Sequence, residues 1–177
     1  MGGMDAIEQI LKSLPVTAPP IALILHMQPG MTGIYADQLD DKINLSVKEG
    51  ETGDRLERGR VLVAPSGKHM RVVVQNNLLH VTCEVGPKVQ HVIPSADVLF
   101  ASIADAALKD AVGVILTGIG ADGAEGLLKM RQSGAETIGQ NEETCAVYGM
   151  PKVAMELGAV KYQLPLGDIA SKIVSLT

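Results

Sequence analysis

The sequence predicts an α/β protein with a doubly wound, mostly parallel sheet, a Rossmann-like three-layer arrangement, carrying an antiparallel β-hairpin insertion. Two observations predict this class. Apolar runs of strand length alternate with segments of helical spacing in both halves of the chain, a pattern typical of a parallel sheet covered by helices on both faces. Between them, residues 44–84 contain strand-like segments that follow one another without a helix, which favours an antiparallel insertion.

The N-terminal segment predicts a helix, a buried strand and a second helix. Apolar residues from Ala6 to Leu14 recur at helical spacing, and Asp5 lies near the helix start, where a negative charge is favourable. The segment "LPVTAPP" ends this helix. The continuous apolar run "IALIL" is typical of a strand buried on both faces, and a helix is predicted near residues 32–39.

Residues 44–84 predict the antiparallel insertion. Its four strand-like segments are "NLSVKEG", "VLVAP", "HMRVVV" and "LLHVTCE". Asn76 and Asn77 separate the last two segments, and asparagine tolerates the positive φ angles of a tight hairpin turn. We therefore expect these four strands to form an antiparallel insertion in one domain.

The parallel pattern resumes after the insertion and continues to the end of the chain. The strand-like segments are "AVGVILTG", "ETIGQ" and "YQLPL". Helices are predicted to begin near Pro94, Asp122, Pro151 and Asp168. No repeat, low-complexity run or linker interrupts the 177 residues, so the sequence predicts one domain that is large enough to bury a core.

Composition disfavours several classes of function. The net charge is −5 and aromatic residues make up 2% of the chain, so neither a basic groove nor a base-stacking platform for nucleic acid is expected. Cys83 and Cys145 form no C-x-x-C motif, which favours reduced thiols and no metal site. The first residues lack a signal-peptide pattern, and no apolar run approaches the ~18 residues of a membrane span. We expect a cytoplasmic protein without membrane insertion and without a cofactor.

Two titratable side chains directly follow predicted strands. His26 comes directly after "IALIL", and Asp122 lies in the loop after "AVGVIL". Because the carboxyl ends of parallel strands meet at one edge of a sheet, we expect these side chains within hydrogen-bonding reach, as a general base and its orienting acid require. Simpler roles are also open. Asp122 with Glu125 has the spacing of an N-cap and its capping-box partner, and His26 could be a strand-end histidine bonded to the backbone.

The glycines around Asp122 raise a second possibility. Gly118, Gly120 and Gly123 form a literal G-x-G-x-x-G, with Glu142 about twenty residues further on, as in a dinucleotide-binding turn. Asp122 at the same helix start would repel a phosphate, and that motif normally occupies the first strand-to-helix turn of the fold. The glycines could instead permit a tight turn. A nucleotide-binding α/β protein is the less favoured alternative.

Five segments carry a resemblance to a known family: "ILHMQPGMTGIYADQLD", "GDRLERGRVLVAPSGKHM", "PSADVLFASIA", "AVGVILTGIGADGAEGLLKMRQSGA" and "NEETCAVYGMPKVAMELGAV". The most specific blocks are G-[IM]-G-x-D-G-A-x-G at residues 118–126 and C-x-V-[YF]-G-M-P at residues 145–151. Through these segments, residues 1–177 as a whole resemble the catalytic domain of the chemotaxis protein-glutamate methylesterases, the CheB type.

This resemblance implies an esterase that hydrolyses methyl esters on glutamate side chains of chemoreceptor signalling helices and, in some members, deamidates glutamines there. It implies a Ser-His-Asp triad. By motif, His26 would be the base that takes the serine proton, Asp122 would orient it, and the backbone N–H of Ile119 would point at the oxyanion. Methylated receptor helices would be the partner.

The chain departs from the family pattern at two places. Leu25 replaces the glutamine that commonly precedes the histidine. The family's serine lies in a G-x-S-x-G-G elbow after the first strand, and Gly2 and Gly3 match the last two glycines. Met1 would then follow the serine directly and give a second oxyanion N–H. We therefore expect residues 1–177 to lack the first strand, the serine and a receiver domain, with a gap in place of the central strand. A catalytically inactive esterase-fold scaffold is the alternative.

Overall fold

The structure, a computed structural model, describes residues 2–106 and 108–177. In this part of the chain helices and strands alternate over most of the length. The helices are α1 (Gly3–Lys12), α2 (Met31–Asp40), α3 (Ala96–Asp105), α4 (Ala124–Gln132), α5 (Met150–Glu156) and α6 (Leu166–Leu176). The strands are β1 (Ile21–Leu23), β2 (Ser46–Glu49), β3 (Arg60–Val63), β4 (His69–Gln75), β5 (Leu78–Glu84), β6 (Val112–Ile115), β7 (Glu136–Gln140) and β8 (Tyr162–Leu164).

The parallel strands form two three-stranded sheets. In the first sheet β3 lies between β1 and β2, and in the second β7 lies between β6 and β8. Every pairing in these two sheets is parallel. Successive parallel strands need long crossover connections, which α2, α4 and α5 provide in this chain. The predicted α/β class with mostly parallel strands is confirmed.

The antiparallel insertion is smaller than the sequence predicts. Among the strands of residues 2–106 and 108–177, β4 and β5 are the one antiparallel pair, and Asn76 and Asn77 form their turn with φ angles of 51° and 60°. The prediction that "NLSVKEG" and "VLVAP" belong to the insertion was wrong, because β2 and β3 are parallel strands of the first sheet. The residues of β3 are buried on both faces, which is typical of a parallel strand covered by helices. A loop, not a helix, joins β2 to β3, and this loop hid the parallel pattern.

Three helix starts differ from the predicted ones by two residues. Helix α4 begins at Ala124 rather than Asp122, because Gly123 is its N-cap. Helix α3 begins at Ala96 rather than Pro94 because Ser95 is its N-cap, with Oγ accepting a backbone N–H in the first turn. Helix α6 begins at Leu166, before the predicted Asp168. No helix in residues 2–106 and 108–177 is long and apolar enough to cross a membrane.

Helices α1 and α3 cover opposite faces of the first sheet. Side chains of successive strand residues point to opposite faces. Val61 and Val63 of β3 pack in the same apolar cluster as α1, whereas Leu62 between them packs in the cluster that contains Leu99 of α3. The core therefore forms as layers above and below the strands.

Two adjoining cavities lie between β1 and β6. In the described part of the chain, β1 pairs only with β3 and β6 pairs only with β7, so each has one unpaired edge. Two cavities of about 780 Å³ and 760 Å³ share lining residues from both strands, among them Ala22 and Val114. Ile7 of α1 and Leu99 of α3 line both cavities from the two helix layers. We call this space between β1, β6, α1 and α3 the inter-sheet slot.

Candidate active site

His26 and Asp122 meet at the carboxyl end of the inter-sheet slot. His26 follows β1, and Asp122 lies in the loop between β6 and α4. Nε2 of His26 is 2.8 Å from Oδ2 of Asp122. The imidazole side chain is 30% exposed, whereas the carboxylate is 3% exposed. With Nε2–H donating to the carboxylate, Nδ1 is the ring nitrogen left to accept a proton from another group.

The Asp122 carboxylate also caps the start of α3. Oδ2 accepts the backbone N–H of Ala96 at 2.7 Å. Oδ1 accepts the Ser95 hydroxyl at 2.6 Å and the backbone N–H of Asp97 at 3.2 Å. Helix α4 instead begins after a glycine N-cap with no side-chain hydrogen bond. The prediction that Asp122 caps α4 with Glu125 as its partner was therefore wrong, because the carboxylate points across to a different helix.

These contacts keep Asp122 ionised in a buried position. Burial raises the pKa of its carboxyl, but hydrogen bonds from His26, Ser95 and the α3 backbone outweigh burial. The pKa of Asp122 consequently lies below its ordinary value. A carboxylate that stays charged at neutral pH can fix the tautomer of His26 and stabilise its imidazolium form.

The loop after β6 presents Ile119 to the same cavity. Ile119 is 83% exposed and lines the cavity beside His26. The loop before it is held rigidly, because Thr117 N–H donates to the buried Gln140 side chain at 2.9 Å and its hydroxyl bonds to residue 147. No hydrogen bond from Ile119 N–H is found within residues 2–106 and 108–177. Met1, the other residue predicted to face an oxyanion, lies outside the described residues.

The glycines of the two sequence blocks are explained by close packing and turn geometry. A Cβ atom at Gly149 would lie 2.5 Å from the carbonyl oxygen of Gly118, and a Cβ atom at Gly118 would collide with Met150 Sδ. Gly120 and Gly123 have φ angles of 93° and 90°, which other residues rarely adopt. The G-x-G-x-x-G spacing thus has a structural reason without a phosphate.

Comparison with known proteins identifies the family of this chain. The family model described as CheB methylesterase matches residues 1–173. The chain belongs to the CheB methylesterase family. It is 43% identical over 175 residues to a protein-glutamate methylesterase/protein-glutamine glutaminase of Syntrophotalea carbinolica, an alignment that covers 99% of this chain and 50% of the relative. It is 47% identical over 175 residues to protein-glutamate methylesterase/protein-glutamine glutaminase 2 of Syntrophomonas wolfei, covering 99% of this chain and 51% of the relative.

A solved structure shares the whole fold. The crystal structure of the Thermotoga maritima CheB methylesterase catalytic domain superposes with a TM-score of 0.96 at 35% identity, covering 99% of this chain and 94% of that chain. This chain spans about half the length of the curated relatives it matches. The family and the fold predicted from the sequence are confirmed.

Two side chains behind His26 and Asp122 have no signal in the sequence that links them to this site. The hydroxyl of Ser95 donates to Asp122 at 2.6 Å. His69, which had no predicted role, is buried, and its Nδ1 accepts the Ser95 backbone N–H at 3.2 Å. "PSADVLF" indicates a helix cap, but the contact with Asp122 spans 27 residues of sequence, so no local pattern reveals it. Among the described residues, no group of three His, Cys, Asp or Glu could hold a metal ion.

Proposed function

We propose that this chain is the catalytic domain of a protein-glutamate methylesterase that hydrolyses glutamate methyl esters on chemoreceptor signalling helices during chemotaxis adaptation. The observation that carries the proposal is the 2.8 Å contact between His26 and Asp122 at the mouth of an apolar cavity, in a chain of the CheB methylesterase family. The names of the relatives add glutamine deamidation as a second reaction of the same site.

The nucleophile in this proposal is a serine at the end of a further strand in the inter-sheet slot. A strand parallel to β1 and β6 would end at their carboxyl edge, the edge where His26 lies. The start of α1 lies at this edge: a Cβ atom at Gly3 would lie 3.6 Å from Leu25 Cδ1, next to His26, and 3.8 Å from the Thr117 carbonyl oxygen after β6. A serine just before Met1 would then stand at the turn between that strand and α1, beside the cavity that Gly2, Gly3 and His26 line.

The chemistry follows from the groups around that position. The serine oxygen attacks the ester carbonyl while Nδ1 of His26 takes the serine proton. The backbone N–H of Ile119, joined by that of Met1, stabilises the oxyanion. His26 then gives its proton to the departing methanol, which leaves a glutamyl ester on the serine. Water attacks this ester, His26 takes the water proton and returns it to the serine oxygen, and the glutamate carboxylate is released. Asp122 stabilises the imidazolium in both halves.

Release of methanol from a methylated chemoreceptor tests the proposal. Residues 1–177 are compared with the same chain extended before Met1 by an apolar strand that ends in G-x-S. Only the extended chain should release methanol, and serine-to-alanine replacement in the extension should abolish it. In the extended chain, His26→Ala and Asp122→Asn should each lower kcat by roughly 10³-fold or more. Comparable methanol release from residues 1–177 alone would refute the assignment of the nucleophile.

The same experiment decides between enzyme and scaffold. If the extended chain binds the methylated receptor but releases no methanol while His26, Asp122 and the added serine are intact, the chain is a catalytically inactive scaffold of the esterase fold. A receptor fragment with glutamate in place of its methyl ester is the matched control, because it offers the same helix without a bond to hydrolyse.

A further inference from the structure

Asp97 is a buried carboxylate that the proposed mechanism does not use. It lies in the first turn of α3 and is 8% exposed. Oδ1 accepts the backbone N–H of Gly126 in the first turn of α4 at 2.7 Å. Oδ2 is buried and has no hydrogen-bond partner within residues 2–106 and 108–177. Burial raises the pKa of the Asp97 carboxyl, and the nearby Asp122 carboxylate raises it as well.

Asp97 lies in α3 and caps α4, whereas Asp122 lies just before α4 and caps α3. The first backbone N–H groups of a helix have no acceptor inside the helix. Asp122, in the loop that leads into α4, accepts two such N–H groups of α3, and Asp97, in α3, accepts one of α4. The two helix starts touch directly, because a Cβ atom at Gly126 would lie 2.7 Å from the carbonyl oxygen of Asp97. The two carboxylates therefore form a reciprocal pair of caps.

We propose that Asp97 is a positioning residue for the contact between Asp122 and His26. Its bond to Gly126 holds the start of α4, and with it the loop that carries Asp122, against α3. Without that bond the loop can move away from α3, and Asp122 cannot keep both its α3 donors and His26 at hydrogen-bonding distance. The consequence for catalysis rests on the proposed function, whereas the consequence for the imidazole of His26 does not.

Three variants separate the hydrogen bond from the charge. Asp97→Ala removes the acceptor and the charge together. Asp97→Asn keeps a carbonyl oxygen where it can accept the Gly126 N–H but carries no charge. Asp97→Glu keeps the charge and moves the acceptor by one methylene group. The matched control is Asp105→Ala, because Asp105 is an exposed residue at the other end of α3 whose ion pair with Lys129, at 2.6 Å, also joins α3 to α4.

The readout is the ¹⁵N spectrum of the His26 imidazole in residues 1–177 and in the strand-extended chain. The parent protein should show one tautomer, with the proton on Nε2 and slow exchange of that proton. Asp97→Ala should give mixed tautomers and proton exchange faster by about tenfold or more, and Asp97→Glu should give an intermediate result. Asp97→Asn and Asp105→Ala should match the parent. If Asp97→Ala does not fold, the difference between the His26 spectra of Asp97→Asn and Asp97→Glu still tests the proposal.

Several outcomes overturn the proposal. A parent-like spectrum for Asp97→Ala or for Asp97→Glu would show that His26 does not depend on this cap. Loss of the single tautomer in Asp97→Asn would show that charge, not the hydrogen bond, matters. In the strand-extended enzyme, Asp97→Ala should lower kcat by about 10–100-fold with KM within about twofold, and Asp97→Asn should restore it. If the parent enzyme is inactive while the spectra behave as stated, the proposed function fails and the role of Asp97 stands.

Discussion

Occupation of the inter-sheet slot by a parallel strand should raise the stability of this fold. The slot is bordered by β1 and β6, each of which has one edge without a strand partner in residues 2–106 and 108–177, and it is covered by α1 and α3. The perturbation is an extension before Met1 that consists of a four-residue aliphatic strand followed by G-x-S. A strand in this position is buried on both faces, so all four side chains leave water.

The expected gain follows from three contributions. Four buried aliphatic side chains contribute ~1.5–3 kcal/mol each, or roughly 6–12 kcal/mol. Ordering the backbone of four residues costs roughly 4–8 kcal/mol. Each residue of a central strand donates one hydrogen bond and accepts one, and eight bonds at ~0.5–1.5 kcal/mol contribute roughly 4–12 kcal/mol, which offsets the backbone cost. At the middle of their ranges the hydrogen-bond gain and the ordering cost nearly cancel, so the net gain is roughly 6–12 kcal/mol, comparable with the whole stability of a typical domain.

Urea unfolding and amide hydrogen exchange measure this gain. The carbonyl oxygen of Leu23 accepts the Ala64 N–H, so Leu23 faces β3 and the neighbouring Ala22 turns its backbone groups to the slot. Ala22 and Val114 should therefore gain exchange protection when the strand is added. A Gly/Ser extension of equal length is the control and should change neither stability nor protection. A gain below about 2 kcal/mol for the aliphatic strand, or protection absent at Ala22, would refute a strand site in the slot.

Three further outcomes follow from the site and the core. Asp122→Ala should destabilise the fold by roughly 2–6 kcal/mol in urea unfolding because it leaves at least two buried donors at the start of α3 unpaired, whereas His26→Ala should change the stability by less than about 1 kcal/mol. Folding lowers the pKa of the Asp122 carboxyl. The ionised carboxylate therefore stabilises the folded state above the ordinary carboxyl pKa, and this contribution is lost as pH falls through the folded-state pKa. Asp122→Asn should flatten this acid part of the plot of unfolding free energy against pH. Burial raises the pKa of the Cys83 thiol to about 11, so alkylation of Cys83 at pH 8 should proceed only as fast as the chain unfolds.

The sequence predicts the elements that have strong local signals. The apolar run before His26 predicts β1, and the Asn76–Asn77 turn predicts the β4–β5 hairpin. The predicted five-residue strand "IALIL" is observed as three residues, Ile21–Leu23, and its pairing ends where β3 ends, at Val63. The predicted insertion was too large because β2 and β3 are short and a loop joins them, so their parallel pairing has no local signal.

Some residues of the candidate site have local sequence signals, whereas others are recognised only from tertiary contacts. His26 and Asp122 stand out because each follows an apolar strand, and the carboxyl edge of parallel strands is where such residues meet. The capping role of Asp122 was assigned to the wrong helix, because sequence spacing reports only the helix that follows. Ser95 and Asp97 lie 27 and 25 residues from Asp122 in the chain, so their contacts depend on how α3 packs on α4, which no local pattern specifies.

Asp122 links the packing of the helices to the chemistry of His26. Its carboxylate holds the start of α3 and the imidazole together, so a displacement of α3 must change the orientation of the base. Leu99 and Phe100 of α3 line both parts of the slot. A strand that fills the slot would therefore pack against the same helix that Asp122 caps and fix its position. The strand that we propose to carry the serine would in this way also support α3, and with it the existing contact between Asp122 and His26.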